Sequence, residues 1–136
     1  MNPIELRSRR EALGLSQSSL ADLLEVKQDK VSGWESGKRP IPDGIEAELT
    51  DWEVTVEDLI DIASEAVEAV ECSGGPLAEL AVFSTDEALW AAHPEMDGTP
   101  AVLHRVAMAR VRSLYPGSCI LSDWSHGMRV AGLGNE

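Results

Sequence analysis

The pattern of apolar and polar positions is clearest between residues 16 and 35. Apolar side chains recur there at three- and four-residue spacing, first over one stretch and then, after a short break, over a second. Ser16, in front of the first stretch, is a suitable helix N-cap. The pattern therefore predicts two short helices joined by a three- to four-residue turn. The residues predicted to be buried in them are Leu20, Ala21, Leu23, Leu24, Val31 and Trp34.

Short polar residues occupy the other side of the second predicted helix. Two short helices at this spacing cross steeply, so that the second can lie in a DNA major groove. An exposed row of polar side chains is what contact with base edges requires. The candidate base-reading residues are Gln28, Asp29, Lys30, Ser32 and Gly33. The residues placed to meet phosphates are Gln17, Lys27, Lys38 and Arg39.

Three further helices are predicted around this pair. One begins near Pro3 and runs to Leu13, with Gly14 as a left-handed C-cap. After Gly37 and two prolines have ended the second helix of the pair, another is expected over residues 43–49. A fifth, strongly acidic helix is expected from an N-cap at Thr55 to about Glu71.

The carboxy-terminal half predicts a mixture of strands and helices. Ser73-Gly-Gly-Pro76 is the candidate linker, and residues 77–83 and 118–124 are the candidate strands. Between them, a capping box starting at Ser84 and an N-cap at Thr99 introduce two helices. The apolar face of the second of these helices is predicted to contain Val102, Leu103, Val106, Ala107, Ala109, the stem of Arg110, and Leu114.

These elements predict a mainly α protein: a five-helix head followed by a small α+β region. The expected divisions are a head with its acidic connecting helix over residues 1–71, a dimerisation region over 77–124 and a tail over 125–136. Two strands do not close a hydrophobic core by themselves. We therefore expect the carboxy-terminal region to pair with a second copy of the chain.

The charge distribution changes how the net charge of -13 is interpreted. Residues 1–39 contain seven basic and six acidic residues, whereas residues 51–100 contain thirteen acidic residues and no Lys or Arg. The acidic excess thus lies outside the helix pair. It does not argue against a nucleic-acid partner for the amino-terminal part.

Several functional classes have no support in the sequence. Cys72 and Cys119 lack the spacing of a zinc site or a disulfide framework, and none of the three histidines has a second ligand at metal spacing. Catalytic motifs are missing, and Asp123, Ser125 and His126 are too close together in sequence for a hydrolytic triad. We expect no enzyme, no cofactor and no metal. Without a signal peptide or a membrane-spanning run, a cytoplasmic location is expected.

Fixed positions across the helix pair resemble the XRE family, the phage-repressor and Cro-like DNA-binding domains. The resemblance covers about residues 4–50 without a gap. In that pattern Arg10 pairs with Glu35, which ties the first helix to the end of the third; we expect an additional phosphate contact from Arg10. The positions that carry the match are Arg10, Leu13, Gly14, Leu15, Ser16, Gln17, Leu20, Ala21, Val26, Val31, Trp34, Glu35 and Gly37.

The resemblance implies a repressor that binds a palindromic operator in double-stranded DNA as a homodimer, and that is autoregulatory and related to phage or mobile elements. The head and the later helix VLHRVAMARV together are similar to regulators described as anti-CRISPR-associated, which would add RNA as a partner. The alternative is an antitoxin, whose carboxy-terminal region would hold a toxin protein. A dimer interface would fold between identical chains, whereas a toxin-binding segment would be exposed or disordered alone.

Overall fold

A computed structural model describes residues 1–125 of the chain. Contacts between residues divide it into two compact units, Met1–Thr55 and a second that begins at Val56. The division lies inside a helix, not at the predicted linker Ser73-Gly-Gly-Pro76. The helices that begin in the first unit are α1 (Pro3–Ala12), α2 (Gln17–Leu24), α3 (Gln28–Ser36) and α4 (Gly44–Ser73).

Local side-chain and backbone chemistry sets the ends of the first helices. Ser16 caps α2 as predicted, because its hydroxyl accepts a hydrogen bond from the Ser19 N–H at 3.0 Å. Asn2 caps α1 in the same way through the Glu5 N–H at 2.8 Å, which the sequence analysis did not identify. Gly14 takes the predicted left-handed conformation after α1, with φ 79°.

The first unit buries one face of each helix. Four of the six residues predicted to be buried are so, namely Leu20, Ala21, Val31 and Trp34. Leu23 and Leu24 are only half-buried. The full buried apolar set of this unit is Leu6, Leu13, Leu15, Leu20, Ala21, Val31, Trp34, Ile45 and Leu49.

The predicted fourth and fifth helices are one continuous helix, α4. Thr55 does not begin a helix; its hydroxyl donates to the carbonyl of Asp51 at 3.1 Å, inside the helix. No proline or glycine separates Leu49 from Thr55, so nothing interrupts the backbone hydrogen bonds there. The head therefore has four helices instead of five, while the mainly α class with an α+β carboxy-terminal region is confirmed.

The second unit contains a small parallel sheet and two connecting helices. Both predicted strands are present, and they pair in parallel from Ala78 opposite Cys119 to Val82 opposite Asp123. The chain between them returns to the same end of the sheet through helices, as a parallel connection requires. The elements are β1 (Ala78–Val82), α5 (Asp86–Ala92), a 3₁₀ turn (Pro94–Met96), α6 (Ala101–Leu114) and β2 (Cys119–Asp123).

The caps of α5 and α6 differ from those predicted. Thr85, one residue after Ser84, caps α5 by accepting from the Ala88 N–H at 3.1 Å. Thr99 does not cap α6; the carboxylate of Asp86 accepts from the Ala101 N–H at 2.7 Å instead. The cap of α6 is therefore a long-range contact, which spacing within one helix cannot predict.

The buried face of α6 is rotated from the predicted one. Leu103 and Ala107 are buried as expected, but Ala109, Arg110 and Leu114 are exposed. Apolar residues occur on nearly every side of this helix, so their spacing alone does not identify the packed side. The residues that α6 buries are Ala101, Leu103, His104, Ala107, Met108 and Val111.

His104 is the main polar side chain in this core. Its ring lies 5.6 Å from the ring of Phe83, and its Nδ1 has no hydrogen-bond partner among the described residues. Burial, together with the nearby His93 and Arg105, lowers the pKa of His104 to about 4, so the ring is neutral at pH 7. His126 and the predicted tail after Ser125 lie outside the described residues.

Within residues 1–125, none of the helices combines the length and the hydropathy required to cross a bilayer.

Candidate nucleic-acid interface

A tight turn joins α2 to α3. Residues 25–27 separate the helices, and Glu25 takes a left-handed conformation with φ 59°. The Val26 N–H then donates to the carbonyl of Ala21 at 3.0 Å, which closes the end of α2. Val31 and Trp34 anchor the inner side of α3, with Trp34 only 4% exposed. The sequence therefore correctly predicted both the helix pair and the side of α3 that is buried.

Most of the predicted base-reading residues lie on the outer side of α3. Gln28, Asp29, Lys30 and Ser32 are exposed, in the first turn and a half of the helix. Lys27 precedes the helix as its N-cap, without a side-chain hydrogen bond, and it too is exposed. Side chains at the amino end of such a helix are the ones that reach base edges in a major groove. Their contacts with DNA remain predictions.

The prediction that Gly33 faces outward is wrong. Gly33 is buried, and a Cβ placed on it would lie 2.8 Å from Cδ and 3.0 Å from Cγ of Arg39. The Arg39 N–H also donates to the Gly33 carbonyl at 3.1 Å, after a left-handed turn at Gly37. The stem of Arg39 therefore covers the surface that the missing side chain leaves open.

The predicted pairing of Arg10 with Glu35 is present, and the predicted phosphate contact of Arg10 would have to be made from a buried side chain. The Arg10 side chain is buried, and its Nε and one terminal nitrogen bind the two oxygens of Glu35 at 2.6 and 3.0 Å. Its other terminal nitrogen donates to the carbonyl of Leu15 at 2.8 Å. With its donors used inside the domain, Arg10 is a structural residue that fixes the end of α3 to α1.

Gln17 also belongs to this buried ion pair. Its amide nitrogen donates to Oε1 of Glu35 at 3.0 Å, so the start of α2 is tied to the same carboxylate. Burial raises the pKa of Glu35, but hydrogen bonds from Arg10 and Gln17 outweigh burial and hold that pKa below its usual value. Gln17 is half-buried. Its phosphate contact stays a prediction, and it would be made by a side chain whose amide is bonded to Glu35.

Arg9 forms a second ion-pair cluster that the sequence analysis missed. Its guanidinium binds Glu53 at 2.6 Å and Glu46 at 3.1 Å, both on α4, and Glu5 at 3.2 Å on its own helix. Hydrogen bonding to Glu53 raises the pKa of Arg9 further above its already high value. The run Arg7-Ser-Arg-Arg10 does not show which arginine faces which helix, so only the i,i+4 spacing of Glu5 and Arg9 indicated a pair.

Positive charge gathers around α3 in the folded domain. Lys27, Lys30, Lys38 and Arg39 are all exposed, and Asp29 is the one acidic residue within the helix itself before Glu35. Arg9 and Arg10 contribute little to this surface because carboxylates neutralise them. The exposed cations are thus concentrated beside the polar outer side of α3, as phosphate binding around a reading helix requires.

Comparison with known proteins agrees with this geometry for the amino-terminal part. Residues 4–63 match a family model described as a helix-turn-helix domain, which is slightly less than half of the chain. The chain matches none of the curated proteins compared with it. The anti-CRISPR-associated resemblance thus stays an expectation. Residues 4–63 form a helix-turn-helix domain, the DNA-binding module that the XRE-like pattern of the sequence implies.

Proposed function

We propose that this chain is a sequence-specific transcriptional repressor that binds a palindromic operator as a homodimer. The observation that carries the proposal is the outer side of α3. Its polar residues are exposed beside the cations Lys27, Lys30 and Lys38, while the buried Arg10–Glu35 pair holds the helix in place. Base reading needs such side chains on a rigid element, and phosphate contacts need exposed cations next to them.

Sequence reading and phosphate binding are assigned to different residues. Gln28, in the first turn of α3, has an amide that can make paired hydrogen bonds to adenine, whereas Lys38 follows the helix and offers only charge. We expect Gln28→Ala to lose about 1 to 3 kcal/mol of binding free energy on the selected operator and little on random DNA. Lys38→Ala should weaken both duplexes alike and lower the salt slope by about one unit.

Both variants are measured against operator and scrambled duplexes over a salt series, after the operator has been selected from random sequences with the full chain. Both substitutions are at exposed residues, so a melting temperature equal to that of the wild type serves as the folding control. Equal losses on the two duplexes for Gln28→Ala would show that Gln28 does not read sequence. Failure of the wild type to prefer any sequence would contradict the proposed function itself.

The homodimer is supported by an apolar groove within the second unit. The groove measures about 590 Å³ and lies between the later part of α4 and α6. Its apolar lining comes from Ile60, Val106, Ala109 and Leu114, and Leu114 is 61% exposed. An unpartnered apolar surface of this kind is typical of an interface between proteins.

Charge at the rim of the groove fits a second copy of the chain. Glu57 and Arg110 lie there, 3.8 Å apart, so the same surface carries both signs of charge. In a two-fold dimer a surface meets itself, and one with an acid and a base beside an apolar strip is complementary to itself. Residues 98–122 contain three arginines and no acidic residue, which offsets the acidic α4 of a second copy.

We expect Ala109→Glu to weaken the dimer at least about tenfold, because a charged side chain would replace an apolar contact and would have to lose its hydration at the interface. Ala69→Glu is the matched control: this exposed alanine lies on α4, nine residues or two and a half turns from Ile60, on the opposite side of the helix. Sedimentation at micromolar concentration measures the oligomeric state. A wild type that sediments as a monomer, or equal effects of the two variants, would contradict this interface.

The antitoxin alternative predicts a different result in the same experiment. A toxin-binding segment would be exposed or disordered alone; residues 78–123 fold into strands and helices in the single chain, which argues against the disordered form. This difference favours the homodimeric repressor. A chain that is monomeric in isolation and gains structure only with a protein or RNA partner would favour the alternative readings instead.

A further inference from the structure

A residue from outside α3 covers the side of this helix that its own spacing predicts to be the most exposed. Gly33 lies two residues from Val31, about 200° around the helix from that buried position, so it should be among the most exposed positions of α3. Asp29 lies one turn earlier in the same row. Gly33 is nevertheless buried, because the stem of Arg39 crosses it. The side chain at the centre of this outer face is therefore that of Arg39.

Arg39 contacts α3 through its backbone and through the tip of its side chain. At its backbone, the N–H of Arg39 donates to the Gly33 carbonyl at 3.1 Å. At its tip, one terminal nitrogen of the guanidinium lies 4.0 Å from Oδ2 of Asp29. The Arg39 side chain is nonetheless 48% exposed. Its stem lies against Gly33 of α3, and part of the side chain is accessible to a ligand.

We propose that Arg39 is a base-reading residue that recognises guanine, and that Gly33 and Asp29 are positioning residues that hold it over α3. The inference rests on the proposed function, since it names which residue reads sequence at the same interface. Guanine offers two acceptors, O6 and N7, on its major-groove edge, and the planar guanidinium matches them with paired hydrogen bonds. The sequence alone had placed Arg39 among the phosphate contacts.

Gly33 and Asp29 are both unusual residues for this surface unless they serve Arg39. Glycine is disfavoured inside a helix, but any larger residue at position 33 would displace the Arg39 stem. An acidic residue on a surface that meets phosphates is repelled unless a cation accompanies it. Asp29 has that cation in Arg39, whose guanidinium lies within ion-pair distance of its carboxylate.

The test compares Arg39→Lys with the wild type on duplexes selected from random sequences. Lysine keeps the charge and loses the planar fork, so a phosphate contact would survive the change and a paired contact to guanine would not. We expect Arg39→Lys to lose preference for one guanine per half-site by about tenfold or more, while binding to a scrambled duplex stays within about twofold. Full selectivity in Arg39→Lys would overturn the proposal.

Gly33→Ala tests the positioning role while leaving the arginine in place. Alanine favours helix, so the melting temperature should not fall, yet its Cβ would displace the Arg39 stem. We expect the same guanine preference to be lost, and the double variant Gly33→Ala/Arg39→Lys to be no worse than Arg39→Lys alone. Additive losses in the double variant would overturn the coupling.

Arg7→Lys is the matched control, since Arg7 is an exposed arginine on α1 that pairs with Glu11 at 3.1 Å and has no assigned contact with DNA. It should leave the preference for that guanine unchanged. A wild type without any sequence preference contradicts the proposed function, whereas a selective wild type matched by an equally selective Arg39→Lys contradicts only the role of Arg39.

Discussion

Replacing Trp34 with alanine is expected to unfold the helix-turn-helix domain, and not simply to weaken DNA contacts. Trp34 is 4% exposed and lies on the inner side of α3, in a unit whose core consists of nine apolar residues. Truncating a buried tryptophan costs about 3 to 5 kcal/mol. A small domain has a total stability of about 5 to 15 kcal/mol, so this loss removes a large share of it.

Hydrogen exchange in the full chain can locate this effect, because it reports on each part of the fold separately. Amides of α1, α2 and α3 should lose protection in Trp34→Ala, while those of β1, α6 and β2 keep theirs. Trp52→Ala is the matched control: Trp52 lies on α4 in the same unit but is only half-buried, so a smaller loss is expected. Wild-type protection in Trp34→Ala would show that this tryptophan does not stabilise the domain.

The helix pair could be predicted because its determinants are local. Ser16 as a cap and the buried spacing of Leu20, Val31 and Trp34 all fall within twenty residues, and each is visible as a residue type at a fixed distance. The Arg10–Glu35 pair was accessible only through the family resemblance, because its partners lie 25 residues apart on different helices. The local pattern thus predicted the helices, and the family resemblance predicted the ion pair that joins α1 to α3.

Other features of the fold depend on contacts that no local pattern contains. Asp86, fifteen residues before Ala101, caps α6 in place of the expected Thr99. The capping pattern at Thr55 suggested the start of a new helix, yet the backbone hydrogen bonds continue through this position in α4. Apolar residues around the whole of α6 left its packed side undetermined until the sheet was in place.

The interface shows the same limit at the level of single residues. Exposed polar positions on α3 followed from the burial of Val31 and Trp34, so Gln28 and Lys30 were identified correctly as surface residues. Gly33 was misassigned because helical spacing predicts exposure from the residues of the helix alone. The residue that covers it, Arg39, comes from beyond the helix end through the turn at Gly37. The burial of Gly33 depends on the position of the Arg39 side chain, which helical periodicity does not give.

The second large effect is expected at Glu35, whose carboxylate joins three helices. Its side chain is 4% exposed, and it accepts hydrogen bonds from Arg10 on α1 and Gln17 on α2. Glu35→Ala would leave the guanidinium of Arg10 buried without its counter-charge, which costs about 3 to 5 kcal/mol in such pairs. We therefore expect the first unit to lose about as much stability as in Trp34→Ala, although far less apolar area is removed.

A double variant separates the effect of losing the ion pair from the destabilisation caused by burying an unpaired charge. Arg10→Met combined with Glu35→Leu removes both charges and keeps apolar volume, and replacements of this kind are often neutral or stabilising. The double variant should therefore be much more stable than Glu35→Ala, as measured by protection of α1 to α3 from hydrogen exchange. If both are equally unstable, the packing of these side chains matters and their charges do not.

Acid should weaken the contribution of Glu35 in a predictable direction. Its pKa in the folded chain lies below the ordinary value of 4.5, because the bonds from Arg10 and Gln17 outweigh the effect of burial. The stabilisation is therefore fully present above pH 4.5, where the carboxylate is ionised in both states, and is lost as the pH falls through the folded pKa. The stability difference between wild type and Glu35→Ala should shrink over that acidic range. A difference that stays constant from neutral pH down to acid unfolding would mean that the carboxylate charge does not hold α1, α2 and α3 together.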